Sequence, residues 1–188
     1  NTMKAEDSNS SKPNILDTVK LSKALRLAKL KSRDGYPEEA ENIYQDILQK
    51  FSKNKEALRE LQLLQDPPSE QLQSIIKLYN QGQLKQALFH ISETLKQFPN
   101  SVVLYNIAGA SNAGLMQFDA SIESYKQAIK IKPNYAEAYN NMGVALRDKG
   151  DLEASIESYK HAIKIKPEYA VAYNNMGVAL RDKGDLEA

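Results

Sequence analysis

Cysteine and tryptophan are both missing from these 188 residues, and histidine occurs only twice. Without cysteine there is no disulfide, no thiolate nucleophile and no cysteine-ligated zinc; the composition fits a reducing compartment, and the cytoplasm is the expected location. An excess of one charge is lacking as well. The 25 Lys plus Arg stand against 24 Asp plus Glu, a formal net charge of +1, so no global field recruits nucleic acid. Apolar runs extend over only a few residues, and the opening "NTMKAEDSNSSKPN" has no apolar stretch, so neither a membrane span nor a secretory leader is expected. With 41% hydrophobic and 26% charged residues, the composition is that of a folded globular chain rather than a disordered one.

The chain is instead rich in repetition. The sixteen residues "YNNMGVALRDKGDLEA" occur at 139–154 and again, unchanged, at 173–188. Gly109, Gly143 and Gly177 are 34 residues apart, as are Tyr105, Tyr139 and Tyr173, and as are Pro133 and Pro167. Within one unit Tyr139, Met142, Gly143 and Leu146 fall on one helical face, and Leu152, Ile156, Tyr159 and Ile163 fall on another. Between the two sets Gly150 suits the left-handed residue that ends a helix, and Asp151 suits the N-cap of the next. "IKIKP" then closes the second helix, with lysines at its negative end and Pro167 preventing continuation. The unit is a helical hairpin, too thin to bury its own apolar stripe, so hairpins must stack into an all-α array. Small Gly143 and Ala162 are expected where helices approach closest, with Tyr139 and Tyr159 filling the volume between successive hairpins.

This unit resembles the tetratricopeptide repeat, whose signature is an aromatic, Leu-Gly, an aromatic, a small residue, an aromatic and a proline. Tyr139, Met142, Gly143, Leu146, Ser155, Tyr159, Ala162 and Pro167 stand in those places, with Leu146 and Ser155 as mild departures. Residues 102–135 repeat the pattern through Tyr105, Gly109, Ser121, Tyr125, Ala128 and Pro133, with Asn112 replacing the first helix's second large residue. Residues 68–101 match mainly through "GQLKQAL" and Pro99, and residues 21–54 through "GYPEEAENIY", with Ser52 where proline is expected. Between these two frames the 13 residues Lys55 to Pro67 are out of phase and read as a single helix closed by Pro67 and Pro68. The resemblance implies a right-handed α–α superhelix. The expected organisation is a polar tail at 1–14 and a divergent first repeat with a basic first helix at 15–54. The extra helix and proline break follow at 55–67, then repeats at 68–101, 102–135 and 136–169, and a truncated repeat with its first helix only at 170–188.

Nothing in the sequence assembles a catalytic constellation. The connectors are a few residues long, no GxGxxG or P-loop occurs, and His90 and His161 lie on second helices without metal-ligand spacing, so both are expected to face solvent. No enzyme activity, cofactor or metal is expected.

A stacked array curves, with first helices inside and second helices outside, so a partner is sought on the first helices. By resemblance to the family the inward positions are Asn106, Asn140, Asn141, Asn174 and Asn175, then Val144 and Val178, and Arg147 and Arg181. A carboxamide both donates and accepts, so a row of them can hold a peptide backbone, or bond neighbouring first helices instead. Segments of the form "AYNNMGVAL" are similar to the asparagine ladder of O-linked N-acetylglucosamine transferases. The clamp that other family members use for a chaperone's terminal carboxylate is not reproduced, since Val144 and Val178 stand where asparagine is needed. No Hsp90-type tail is expected. The stretch from Leu16 to Arg33 reads as a helix with Lys20, Lys23, Arg26, Lys29, Lys31 and Arg33 against Asp17, a local excess of +5. It reads either as a solvated cap or as a contact for an anionic segment at Arg26, Lys29 and Arg33. Nucleic acid and membrane are not expected, because aromatic platforms and an apolar Trp or Phe face are missing.

The expected function is a non-catalytic scaffold that binds a protein or peptide segment on its concave face. Two other readings stand beside it. "PPSEQLQSIIKLYNQGQLKQALFHISETLKQFPNSVVLYNIAGA" resembles the N-terminal repeat region of bacterial proteins that continue into a sulfotransferase or glycosyltransferase, which implies a docking or regulatory role. The uncovered last helix, with Tyr173, Met176 and Leu180, suggests self-association or a loosely held end.

Overall fold

The computed structural model describes residues 13–184, and among these there is no β-strand. The helices fall into two compact units, one up to Leu64 and one from Gln65 onward. Each has its own core.

The first unit holds α1 (Leu21–Arg33), α2 (Pro37–Lys50) and α3 (Lys55–Gln65). Pro37 in the first turn of α2, followed by Glu38 and Glu39, suits a helix start, where a missing N–H costs nothing and the dipole favours acid. The basic helix does not run from Leu16, as the charge pattern suggested. A short 3₁₀ turn occupies Ile15–Asp17, and α1 begins only at Leu21. The reason is local bonding to α2. Asn14 caps the turn by accepting from the Leu16 N–H at 2.8 Å, and its amide donates to the Asp46 carbonyl at 2.7 Å. The Ile15 N–H donates to the Asp46 carboxylate at 2.9 Å, and the Lys50 ammonium donates to Asp17, which holds the Asp17 carboxyl below its ordinary range. The core of the unit is Ala24, Ala28, Ala40, Ile43, Tyr44, Ile47 and Ala57, with Leu61 and Leu64 half-buried against it. The out-of-phase helix α3 therefore covers part of the α1–α2 hairpin.

The second unit holds α4 (Ser69–Asn80), α5 (Leu84–Leu95), α6 (Val102–Gly114), α7 (Phe118–Ile131), α8 (Ala136–Lys149), α9 (Leu152–Ile165) and α10 (Ala170–Lys183). Each first helix touches the next, α4 to α6, α6 to α8 and α8 to α10, whereas no such contact joins α5 to α7 or α7 to α9. First helices close together and second helices splayed apart make the first-helix layer the inner wall of this unit.

The hairpins are locked by a two-part device. A Cβ on Gly143 would stand 2.6 Å from the Tyr159 ring, and one on Gly109 would stand 2.6 Å from Tyr125. Both rings are buried, and each clusters with the following first helix: Tyr159 with Ala179 of α10, Tyr125 with Ala138 and Ala145 of α8. One tyrosine thus fills the notch inside its own hairpin and the seam to the next. The second part was not read from the sequence. The Ser155 hydroxyl donates to the Gly143 carbonyl at 2.7 Å, and the Ser121 hydroxyl donates to the Gly109 carbonyl at 2.8 Å. The serine that departs from the family's small residue is a buried tie of about 1 kcal/mol. Its signal was its place twelve residues after a glycine in both units.

The turns follow the expected chemistry with one exception. Gly150 has φ 96°, and Asp151 caps α9 by accepting from the Ala154 N–H at 3.2 Å. One repeat earlier Met116 holds the same left-handed place at φ 59°, a strained position for a side chain. At the proline junctions the Lys132 ammonium lies 4.9 Å from the Tyr135 ring centre and Lys166 lies 5.0 Å from Tyr169, so each connector carries a cation–π contact.

Candidate functional site on the first-helix wall

The asparagines of the inner wall meet across the repeats. The Asn175 amide on α10 donates to the Asn140 carbonyl oxygen at 3.0 Å, Asn140 donates to Asn141 at 3.2 Å, and Asn141 donates to Asn106 on α6 at 3.4 Å. The run crosses three first helices because each helix places its neighbour's partner 35 residues away, one repeat plus one residue. Asn140 is buried, with 4% of its surface exposed, and its amide is taken up by its two neighbours. Asn106, Asn141 and Asn175 are half-buried, and Asn174 is exposed. A carboxamide offers two donors and an acceptor with two lone pairs, so Asn106, Asn141 and Asn175 each keep unused capacity after these bonds.

Around the row, Val144 is half-buried and packs with Ile156, Tyr159, Ala179, Met176 and Leu180, while Val178 is half-buried on α10. Arg147 is half-buried and reaches back to Asp148 at 3.0 Å; the exposed Arg181 stands 4.0 Å from Asp182. Each arginine is thus folded toward the acid beside it.

The basic set belongs to the first unit, where Lys29 and Lys31 meet acids of later helices and Arg33 meets the acid beside it. Lys29 lies 2.7 Å from Glu56 and 3.9 Å from Glu60 of α3, Lys31 lies 2.8 Å from Glu39 of α2, and Arg33 lies 3.2 Å from Asp34. Arg26 is exposed and has no ion pair among the described residues. Arg26, Lys29, Leu30 and Arg33 line one shallow depression on α1. The count of +5 was right for the segment and misleading for the surface, since Glu56 and Glu60 lie more than twenty residues downstream.

His161 is exposed and stacks on Tyr139, with ring centres 5.2 Å apart and 18° between planes; exposed His90 meets Phe89 edge-on at 5.7 Å. Among the described residues no three of the His, Asp and Glu side chains are placed to hold a metal ion, and no helix is long and apolar enough to cross a membrane.

The TPR repeat family model matches residues 117–146 and 143–184. No curated protein matches the chain. Among solved structures, MamA is 24% identical at a TM-score of 0.56, and the match covers 86% of this chain and 86% of that one. The first TPR of Spaghetti (RPAP3), solved bound to the HSP90 peptide SRMEEVD, is 18% identical at a TM-score of 0.58, covering 61% of this chain and 90% of that one. The O-GlcNAc transferase of Thermobaculum terrenum is 19% identical at 0.53, covering 60% of this chain and 22% of the other. At these identities the likeness is one of fold, an all-α stack of helical hairpins.

Proposed function

We propose that this chain, which matches the TPR repeat model at 117–146 and 143–184, is a non-catalytic interaction module holding an extended protein segment on the first-helix wall of its second unit. The observation that carries this reading is the amide run through Asn175, Asn140, Asn141 and Asn106. Carboxamides bonded to one another are fixed in place before any partner arrives, so little ordering entropy is lost on binding. Asn106, Asn141, Asn174 and Asn175 supply the contacts to a peptide backbone, and buried Asn140 ties the row together. Val144 and Val178 give the segment an apolar seat, and Arg147 and Arg181 reach its acidic groups by leaving their neighbouring aspartates. The RPAP3 domain, solved with an HSP90 peptide, supports a peptide as the class of partner. The occupant proposed here is read through its main chain rather than through a terminal carboxylate, because Val144 and Val178 stand in the place of clamp asparagines. Arg26 in the first unit is a second, weaker contact for an anionic segment.

The test is capture of binding proteins by the intact chain and by an Asn141→Ala, Asn174→Ala double variant whose helicity is first shown to be unchanged. Loss of the captured proteins in the variant is expected. Equal recovery by both would show that the amide row is not the contact.

A further inference from the structure

Along α1, Arg26, Lys29 and Arg33 stand at i, i+3 and i+7, and with Leu30 they line one depression. All four side chains are exposed, Leu30 at 42%. The row lies on the face of α1 turned away from buried Ala24 and Ala28, so its charge stays in water. Arg26 has no ion pair among the described residues, and Arg33 meets the acid beside it, Asp34, at 3.2 Å. Lys29 is different. Glu56 and Glu60, four residues apart on α3, lie 2.7 Å and 3.9 Å from its ammonium. Two carboxylates at helical spacing already sit against the middle of the row, and they show which chemistry it accepts. The Lys29 and Glu56 side chains are each 48% exposed, so water competes for both and the pair is weak enough to be exchanged.

We propose that the row Arg26, Lys29 and Arg33 is a seat for an acidic protein segment, and that Glu56 and Glu60 of α3 are its built-in competitor, holding Lys29 until an outside carboxylate replaces them. The inference rests on the reading of Arg26 as an anionic contact, and adds to it the chemistry of the partner and a gate. The row spans about 10 Å along the helix axis, seven residues at roughly 1.5 Å each. One phosphate group cannot reach both ends, whereas carboxylates on successive turns of a helix, or on alternate residues of an extended chain, match the length. Leu30 gives an apolar side chain of the segment a place among the charges. A nucleic-acid strand fits less well, because the depression offers no aromatic face on which a base could stack. The arriving segment gains Arg26 and Arg33 and exchanges one weak contact at Lys29. Helix α3 keeps its hold on the hairpin through Ala57, Leu61 and Leu64, so release of Glu56 leaves the fold intact.

The probe is fluorescein-labelled hexaglutamate, titrated into the intact chain by anisotropy at low ionic strength, with the helical dichroism of each variant first shown to be unchanged. Saturable binding that weakens as salt is added is expected. Glu56→Gln with Glu60→Gln tightens it about two- to fivefold, the range over which an exposed ion pair competes. Glu123→Gln with Glu168→Gln makes the same change of net charge at exposed positions of the second unit and leaves the affinity as it was, which separates the gate from general attraction. Arg26→Ala weakens binding by about the same factor. No saturable binding, or binding indifferent to Arg26→Ala, overturns the anionic contact and the gate with it. Binding that Arg26→Ala weakens, but that the Glu56 and Glu60 changes leave alone or the control pair raises equally, overturns the gate while the Arg26 contact stands. Equal or tighter binding of hexathymidylate, also weakened by Arg26→Ala, overturns the acidic protein segment as occupant.

Discussion

At the scale of the residue, one substitution in two copies of one sequence separates packing from propensity. Gly143→Ala forces a methyl group to within 2.6 Å of the fully buried Tyr159 ring, which touches α10 on its other side and has little room to move. A loss of about 1–3 kcal/mol in urea unfolding is expected, larger than the roughly 1 kcal/mol that alanine gains over glycine inside a helix. At Gly177 the identical local sequence meets open space, so Gly177→Ala keeps only the propensity gain and leaves stability unchanged or higher. If both variants shift the midpoint in the same direction, the notch is not what holds the hairpin. The tyrosine and the glycine were readable from their spacing. The closeness of the ring to Gly143 was not, because it depends on what lies opposite in space.

At the scale of the element, the hairpins α1–α2, α6–α7 and α8–α9 each bury a phenol, while their ion pairs lie on the surface. Pairs such as Lys160–Glu157 and Lys149–Asp119 are largely solvated and add little. Burial, with Glu60 and Glu56 nearby, pushes the Tyr44 phenol from 10.0 up to about 12, and burial also raises Tyr125 and Tyr159. A phenol with a higher pKa in the folded than in the unfolded chain keeps its proton longer when folded. Native stability is therefore complete below pH about 10 and declines as pH rises from there toward the folded value. Phenolate absorbance of these tyrosines is expected to rise together with the loss of helical dichroism in that window. Phenolate forming several tenths of a pH unit ahead of helix loss would show that the rings are reached by water in the native state. The sequence marked Tyr125 and Tyr159 through the repeat spacing, and did not single out Tyr44. It misplaced the start of α1, because bonds from Asn14 and Ile15 to Asp46, more than thirty residues away, turn Ile15–Asp17 into a 3₁₀ segment.

At the scale of the whole molecule, the buried residues form clusters that stay within one unit: Ala24 through Ala57 in the first, and the groups around Ile75, Tyr125 and Tyr159 in the second. Ala28→Asp puts an unpaired carboxylate into a site with no exposed surface, which destabilises the first unit strongly. Hydrogen exchange is expected to accelerate across α1, α2 and α3 while α6 to α9 keep their protection. Equal acceleration in both units would show that the two share one cooperative core. The 34-residue period, the helix faces, the Gly150 and Asp151 punctuation and the all-α class were set by the sequence, because each depends on neighbours within about one or two helical turns, or on the regularity of the repeat. Which amides bond across helices, and which of the basic side chains of α1 meet an acid from a later helix, were decided only by tertiary structure. Those outcomes depend on groups a full repeat or more away along the chain, and spacing within a segment carries no information about what folding brings opposite it.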